Sequence, residues 1–179
     1  MDFKANGQAV GVNGSELRLE KPGRVTLTVR VAARLDEQPN PDLSKRAYEK
    51  PPYWHLERAR IGKTREVPLE LLVNGQPVAK KVIQADGELR DVSFDAEITR
   101  SSWVAMRILP SSHTNPIFVV VDGKPIRASR RSIQWCLDAV NQCWTQKERF
   151  LKAEVEEGRR VYDHARTVYR QRLAECDVD

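Results

Sequence analysis

The polar side chains best suited to binding chemistry lie in a short loop between two apolar segments. The loop, residues 110–116, begins and ends with proline and contains Ser112, His113, Thr114 and Asn115. Proline at both ends restricts the loop, so its side chains can be held with little loss of conformational entropy. Trp103 and Arg107 precede it on one face of a predicted strand. These six residues, together with Trp54 and His55, predict a recognition surface; the alternative is that the loop side chains only cap turns and Trp103 fills a sheet edge.

A second group of candidates lies at residues 53–57. His55 and Glu57 are two positions apart, so on a strand they share one face, where a histidine–carboxylate pair could act as an acid and base. The alternative is a hydrogen-bonding pair across strands. Trp54, together with Tyr53 and Trp103, could stack on sugar rings, or could complete the edge of a core or of an inter-domain contact.

The one basic cluster of the sequence lies where a helix is predicted to begin. It consists of Lys124, Arg127, Arg130 and Arg131. Cations are disfavoured at a helix N-terminus because of the helix dipole, so the cluster is a candidate site for phosphate or an acidic partner surface. The alternative is solvated charge on the first helical turn.

No familiar catalytic or metal-binding motif occurs in the sequence. It contains no G-x-S-x-G, P-loop, G-x-G-x-x-G or H-E-x-x-H pattern, and no CxxC. Cys136 and Cys143 would lie about 10 Å apart on one helix, too far for a disulfide, and with Cys176 they are expected to be small packing residues. We therefore expect no catalytic residue, no metal and no cofactor in this chain.

Composition and charge indicate a soluble protein rather than a nucleic-acid or membrane protein. Of 179 residues, 40% are hydrophobic and 31% charged, and the net charge of +5 is spread along the chain. Such an even spread weakens a nucleic-acid function. There is no run of 18 apolar residues and no signal-peptide core near Met1. We leave the cellular location open, since a longer parent protein could be exported.

Residues 1–126 have the periodicity of short antiparallel strands. Residues 24–35, 88–98 and 103–109 alternate between apolar and polar side chains, and Asn13-Gly14, Asn74-Gly75 and Asp86-Gly87 predict hairpin turns. Residues 54–61 are also predicted as a strand, and residues 67–98 as a three-stranded meander. Seven to eight strands at this spacing predict a mainly β domain, an antiparallel Ig-like β-sandwich.

Residues 117–121 are apolar on both faces, and residues 36–53 have no period at all. The first pattern predicts a strand covered by sheet on one side and by the following helix on the other, with Phe118 buried. The second segment is rich in proline and charge and predicts a long loop with a helical turn near residues 43–48. It could serve as a lid or pack against a neighbouring domain.

Residues 127–179 change to a helical period and predict a C-terminal extension of one or two helices. Ile133, Leu137, Val140 and Trp144 lie on one broad face, followed by a narrower stripe from Leu151 to Leu173. A capping box at residues 145–148 favours two helices that separate near Thr145. The narrow stripe suits a surface helix or a partner, including a second copy of the chain.

Several segments resemble the region C-terminal to the catalytic domain in CehA/McbA-type metallohydrolases of the PHP-like group. They are SSWVAMRILPSSHTNPIFVVVDGKPIR with SIQWCLDAVNQCW, and earlier YWHLERARIG and GVNGSELRLEKPG. In that family the catalytic histidines and aspartates belong to an N-terminal domain with no counterpart here, so no catalytic residue carries over.

Two functions are therefore expected of this chain. The resemblance implies a non-catalytic accessory domain that packs on a catalytic domain N-terminal to it, or on another protein. The alternative is a stand-alone binding module for a glycan or an anionic ligand. An exposed row of aromatic side chains would favour the module, and an apolar patch shaped like half an interface would favour the accessory domain.

Overall fold

The computed structural model describes residues 1–178. They divide into two compact units, Met1–Ile126 and Arg127–Asp179. The first unit is built from antiparallel sheets and the second from helices, so the chain is mainly β with a C-terminal helical part. Each unit is described by itself.

The first unit contains ten strands and one short helix. In chain order the strands are β1 (Asp2–Ala5), β2 (Gln8–Ala9), β3 (Glu16–Leu19), β4 (Gly23–Val31), β5 (Glu66–Val73), β6 (Gln76–Gln84), β7 (Arg90–Ile98), β8 (Ser102–Ile108), β9 (Ser112–His113) and β10 (Ile117–Val121). A four-stranded sheet has the order β2-β1-β4-β7, and a six-stranded sheet has the order β3-β10-β8-β5-β6 with β9 also paired to β8. All pairs are antiparallel except β3 with β10.

The two sheets bury their apolar residues in one shared core. Val25, Leu27 and Val29 of β4 alternate with exposed polar residues and are almost fully buried. Val104 and Met106 of β8 belong to the same cluster. The strict alternation predicted for β4 is confirmed, because a strand with one face in a core places every second side chain inward. β8 also alternates, except that Ala105 on its outward face is buried as well.

The predicted hairpin at Asn13-Gly14 is wrong. β2 pairs with β1, and β3 pairs with β10 in the other sheet, so the chain crosses between sheets at a 3₁₀ turn, Asn13–Ser15. The hairpin turn is instead Asn6-Gly7, where both residues have positive φ. A two-residue turn of this type needs positive φ twice, which Asn-Gly supplies at little cost.

The predicted meander of residues 67–98 is only half right. β5 and β6 form the hairpin across Asn74-Gly75, but β7 leaves for the other sheet and pairs with β4 along nine residues. The long strand predicted for residues 24–35 ends at Val31, and only a bridge from Arg34 to Asp86 continues it. Alternation shows which face of a strand is buried and does not show which strand is its neighbour.

β10 is covered on one face only. Ile117, Val119 and Val121 are buried, whereas Phe118 on the opposite face is 38% exposed. The prediction of a strand buried on both faces with Phe118 in the interior is therefore wrong. The apolar outward side chains of β10 form part of the protein surface. Hydrophobicity in the sequence does not distinguish an exposed apolar side chain from one in the core.

Residues 54–61 do not form the predicted strand. They contain a 3₁₀ helix, Leu56–Ala59, which His55 begins by accepting a hydrogen bond from the Glu57 amide at its Nδ1. The helical turn expected at residues 43–48 is a short helix α1 (Pro41–Ser44), capped by Asn40. A side-chain acceptor at the cap accepts hydrogen bonds from amides that the first helical turn leaves unpaired. This local hydrogen bond stabilises a helical turn over an extended strand.

The second unit is a pair of helices, α2 (Arg130–Lys147) and α3 (Val155–Glu175). Ser129 caps α2 by accepting from the Ser132 amide. The break lies after Lys147 rather than near Thr145, whose hydroxyl donates to the Asn141 carbonyl inside α2. Thr145 is therefore an interior residue of α2 and not the cap of a new helix.

None of the helices in the described part of the chain combines the length and the hydrophobicity needed to cross a membrane.

Candidate functional site

The outward faces of the two sheets differ in character. On the four-stranded sheet the outward side chains of β4 and β7 are polar and exposed: Thr26, Thr28, Arg30, Asp91, Ser93, Asp95 and Glu97. Several pair with each other, as in the ion pair between Arg24 and Asp95 at 2.6 Å. This face is an ordinary solvated surface.

The outward face of the six-stranded sheet is apolar over much of its width. Phe118 of β10 stands beside Trp103 of β8 in the strand register, and Ala105 stands beside Leu72 of β5. Val78 and Val82 of β6 are each more than half exposed. Apolar side chains grouped on one face of a domain are typical of a site that contacts another molecule.

A cleft of about 460 Å³ opens on this face, and we call it the Trp103 cleft. Its apolar lining consists of Leu72, Gly75, Trp103, Ala105, Pro116 and Phe118. Leu72 and Ala105 are buried at its floor, whereas Phe118 is partly exposed at its wall. The volume lies within the range of sites that bind small ligands or single side chains.

The hairpin turn between β5 and β6 positions Trp103. Asn74 Oδ1 accepts from the Trp103 amide at 3.0 Å, and the Asn74 amide donates to the Trp103 carbonyl at 2.9 Å. Gly75 has a φ of +85° and lies under the indole, where an added Cβ would be 3.5 Å from Cζ2. The Asn-Gly pair therefore supplies both the turn conformation and the surface on which the tryptophan rests.

The polar lining consists of Arg107, His113, Thr114 and Asn115. Arg107 donates from Nε and Nη2 to Glu70 Oε2, at 2.9 and 2.7 Å, so its guanidinium lies in a fixed orientation. His113 Nδ1 is 3.0 Å from the Thr114 carbonyl. A carbonyl oxygen only accepts, so Nδ1 carries the proton and Nε2 of the neutral ring is an acceptor.

Thr114 joins β9 and β10 to the middle of β8. Its amide donates to the Met106 carbonyl at 2.9 Å, and its hydroxyl accepts from the Met106 amide at 3.1 Å. Thr114 is thus a structural member of the cleft wall. Ser112 of β9 pairs with Ile108 of β8 and does not line the cleft.

The structure brings together five of the predicted recognition residues and leaves three outside. Trp103, Arg107, His113, Thr114 and Asn115 line one cleft. Trp54, His55 and Ser112 do not, and the recorded ring contact of Trp54 is with Tyr53, at 4.6 Å between centroids. Whether the cleft binds anything stays a prediction.

His55 and Glu57 do not share one face of a strand, because a 3₁₀ helix forms there, and the Glu57 carboxylate is bonded to other groups. The Glu57 carboxylate receives bonds from Arg60 at 2.7 and 2.8 Å and from the Asn40 amide at 2.9 Å, and both charged side chains are almost fully buried. The hydrogen bonds from Arg60 hold the pKa of Glu57 below its usual value. A carboxylate held ionised by a buried guanidinium is a poor proton acceptor for catalysis and serves the structure.

Two arginines fix the long loop that precedes β5. Arg58 donates to the carbonyls of Arg46, Ala47, Lys50 and Pro52, and Arg60 donates to those of Asp36 and Thr64. Backbone carbonyls that would otherwise need water are thereby satisfied inside the loop. The loop is held by these hydrogen bonds, although most of its side chains are exposed.

The basic cluster does not act as a group of unpaired charges. Lys124 pairs with Asp122 at 3.0 Å, and Arg127 pairs with Glu175. Arg130 Nη1 donates to the carbonyls of Leu173 and Cys176 at the end of α3. Arg130 thus donates hydrogen bonds to carbonyls at the C-terminal end of α3, where the helix dipole favours a cation. This explains a positive charge that appeared unfavourable at the N-terminus of α2.

Five lining residues of the cleft were not among the predicted recognition residues: Leu72, Gly75, Ala105, Pro116 and Phe118. Leu72 is in a mostly apolar strand, and Gly75 is predicted from the sequence only as a turn residue. Within residues 1–178 no group of three or more His, Cys, Asp or Glu side chains is arranged to hold a metal ion. The three cysteines are free, and Cys143 Sγ is 3.1 Å from the Tyr162 hydroxyl.

No protein-family model matches this chain, and neither a curated protein nor a solved structure is significantly similar to it.

Proposed function

We propose that this chain is a non-catalytic interaction domain that recognises a partner through the outward face of its six-stranded sheet. The partner is a catalytic domain N-terminal to it in a longer protein, or a separate protein. The observation that carries the proposal is the contrast between the two sheets: one outward face is polar, and the other has a cleft lined by Trp103 and Phe118, with Val78 and Val82 exposed elsewhere on the same sheet.

The strand order supports an Ig-like β-sandwich as the scaffold of this domain. β1, β4 and β7 belong to one sheet, and β10, β8, β5 and β6 belong to the other, with the chain crossing between sheets before β3, β4, β5, β7 and β8. Greek-key crossings of this kind between two antiparallel sheets characterise such sandwiches. In this arrangement the outward face of each sheet is available for contacts while the inward faces hold the core.

The resemblance of residues 101–127 to the accessory region of PHP-like metallohydrolases supports a hydrolase as the parent or partner. In that setting the domain supplies contacts and no chemistry. Glu57, a candidate acid–base residue in the sequence, is instead part of a buried ion pair with Arg60.

Photo-crosslinking in cells that express the protein tests the proposal. A photoreactive benzoylphenylalanine is placed at Phe118 in one variant and at Thr28, on the opposite sheet, in the matched control. We expect one predominant adduct from position 118, lost when Trp103→Ala is added, and none from position 28. Equal adducts from both faces, or none from position 118, would contradict it.

A binding module for glycans is the second candidate, and the composition of the cleft rim favours it. Arg107, His113 and Asn115 are planar polar side chains beside the Trp103 indole, a set that suits hydroxyl groups around a stacked ring. Titration with soluble disaccharides, followed through the indole resonance of Trp103, separates this candidate from the first. Saturable shifts at millimolar sugar would establish the module.

A further inference from the structure

The shape and lining of the Trp103 cleft define the class of ligand that fits it. Six of its residues are apolar or glycine, and its floor is formed by the buried side chains of Leu72 and Ala105. Such a floor offers no hydrogen bonds, and a polar group placed on it would lose its water without compensation. The part of a ligand that enters the cleft must therefore be apolar.

The polar groups of the cleft lie on one side only. Arg107 uses Nε and Nη2 for Glu70, and within residues 1–178 no bond is recorded for its Nη1. That group can donate to a carbonyl or carboxylate oxygen. His113 offers Nε2 as an acceptor on the same side, because its Nδ1 is committed to the Thr114 carbonyl. A donor beside an acceptor matches the carbonyl and amide of a polypeptide backbone.

The charge around this rim favours an acidic ligand. In the strand register Glu70 lies between Arg107 on β8 and Lys80 on β6, so one carboxylate faces two cations. Lys80 is exposed. A carboxylate beside the apolar group of the ligand would be attracted to this edge.

We propose that the Trp103 cleft binds an extended polypeptide segment, which inserts one large apolar side chain against Trp103 and Phe118 and places a carbonyl or carboxylate oxygen at Arg107 Nη1. The proposal rests on the interaction function proposed above and specifies its ligand. An aromatic wall and a fixed arginine are the side chains that most often dominate the binding energy of an interface. A glycan fits less well, because its hydroxyls would face the apolar floor.

Selection from a random dodecapeptide phage library on the purified full chain tests this proposal. We expect the enriched peptides to share a large apolar residue with Asp or Glu within three positions. Their affinity, measured by calorimetry on synthetic peptides, should fall at least about 10-fold in Trp103→Ala and in Phe118→Ala. Lys80→Glu should weaken the acidic peptides several-fold, whereas Thr28→Ala on the opposite sheet should leave binding unchanged.

Several outcomes would overturn the proposal. They are an absence of enrichment, peptides without the shared apolar residue, and peptides that bind equally to the Phe118→Ala variant. Phe118 is partly exposed, so a thermal melt is expected to show that this variant folds. Binding of cellobiose, maltose or chitobiose at Trp103 without any peptide would replace the polypeptide by a glycan.

The crosslinking and selection experiments together separate the two proposals. If selection fails while position 118 still gives its adduct in cells, the ligand class is wrong and the interaction function stands. If neither succeeds, both are wrong.

Discussion

At the scale of single residues, the buried pair of Glu57 and Arg60 shows how the chain uses its charges. Arg60 satisfies Glu57 and two carbonyls of the preceding loop, and the Asn40 amide supplies a further donor to the carboxylate. A buried ion pair is tolerated only when its remaining donors and acceptors are also bonded. Its role is to hold residues 36–64 in one conformation.

Glu57→Gln should destabilise the first unit because it leaves the Arg60 guanidinium buried without a counter-charge. Removal of one partner from a buried pair costs about 3 kcal/mol or more. We expect a loss of this size in the free energy of unfolding measured with urea. The control, Glu97→Gln on the exposed face of β7, should change stability by less than about 0.5 kcal/mol. Equal effects would show that the Glu57 pair has no structural role.

The same pair predicts a pH dependence of stability. The pKa of Glu57 is lowered in the folded state by its bonds to Arg60, and the unfolded value is about 4.3. Its contribution is therefore fully present above that value and is lost as pH falls through the folded pKa. The stability difference between the wild type and Glu57→Gln should narrow steadily below about pH 4. A difference that stays constant down to pH 2.5 would contradict the assignment.

At the scale of elements, β10 separates the core of the first unit from the face that holds the Trp103 cleft. Adjacent residues of one strand project in opposite directions, so Ile117 is in the core and Phe118 is at the cleft wall. Replacing a buried phenylalanine by alanine causes a large loss of stability. This does not apply to Phe118, because part of its side chain is already in contact with water.

A matched pair of substitutions on β10 tests this assignment. Phe118→Ala should cost about 1 kcal/mol or less, whereas Ile117→Ala should cost about 2–5 kcal/mol because it leaves a cavity. Both are measured as free energies of unfolding in denaturant. If Phe118→Ala costs as much as Ile117→Ala, the outward face of β10 is buried and the cleft is not a surface feature.

The two helices of the second unit approach closely at Gly158. A Cβ at this position would lie 2.8 Å from Leu151 Cδ1 and 3.4 Å from Trp144 Cζ3. Gly158→Ala should therefore lack the gain of about 1 kcal/mol that alanine gives in an open helix. Gly158→Leu should lower the midpoint of the helical circular-dichroism melt through overpacking. Arg160→Leu on the exposed side is the control, and an equal effect there would exclude the packing explanation.

Most strand positions could be predicted from the sequence, whereas strand partners could be predicted only for the β5–β6 hairpin. Alternation in β4, β7 and β8 is a local property, since it depends on which face of a short segment is apolar. The partner of β7 depends on which sheet edge is available after the chain has crossed over, which involves residues about 60–75 positions away. The same limit explains the missed cleft residues, since Leu72 and Phe118 reach Trp103 only through pairing.

At the scale of the whole molecule, the cleft joins residues from a hairpin turn, four strands and the segment between β9 and β10. Its loop members were predictable because residues 103–115 are adjacent in sequence, so one strand and its loop bring them together. Trp54 and His55 were grouped with them by residue type alone, and the fold places them in the arginine-fixed loop instead. Residue type predicts which interactions a side chain can make. The fold determines which residues lie close enough to take part in them.

The non-catalytic role predicts that the purified chain has no hydrolytic activity. Ester and phosphoester substrates should be turned over no faster than in buffer, with or without added Zn²⁺, Mn²⁺ or Mg²⁺. The reason is that the candidate acid–base groups found in the sequence are engaged in structural bonds. Metal-dependent turnover that persists through stringent purification and scales with the amount of chain would contradict the proposed function.

Hydroxyl-radical footprinting tests the central claim, that the outward face of the six-stranded sheet is covered by a partner, most directly. Oxidation of Trp103 and Phe118 is measured by mass spectrometry in cells that express the protein and in the isolated chain, with the exposed residues Tyr48 and Trp135 as references. We predict that Trp103 and Phe118 are protected severalfold in cells while Tyr48 and Trp135 react at the same rate in both. Unchanged oxidation of Trp103 and Phe118 in cells would contradict the claim.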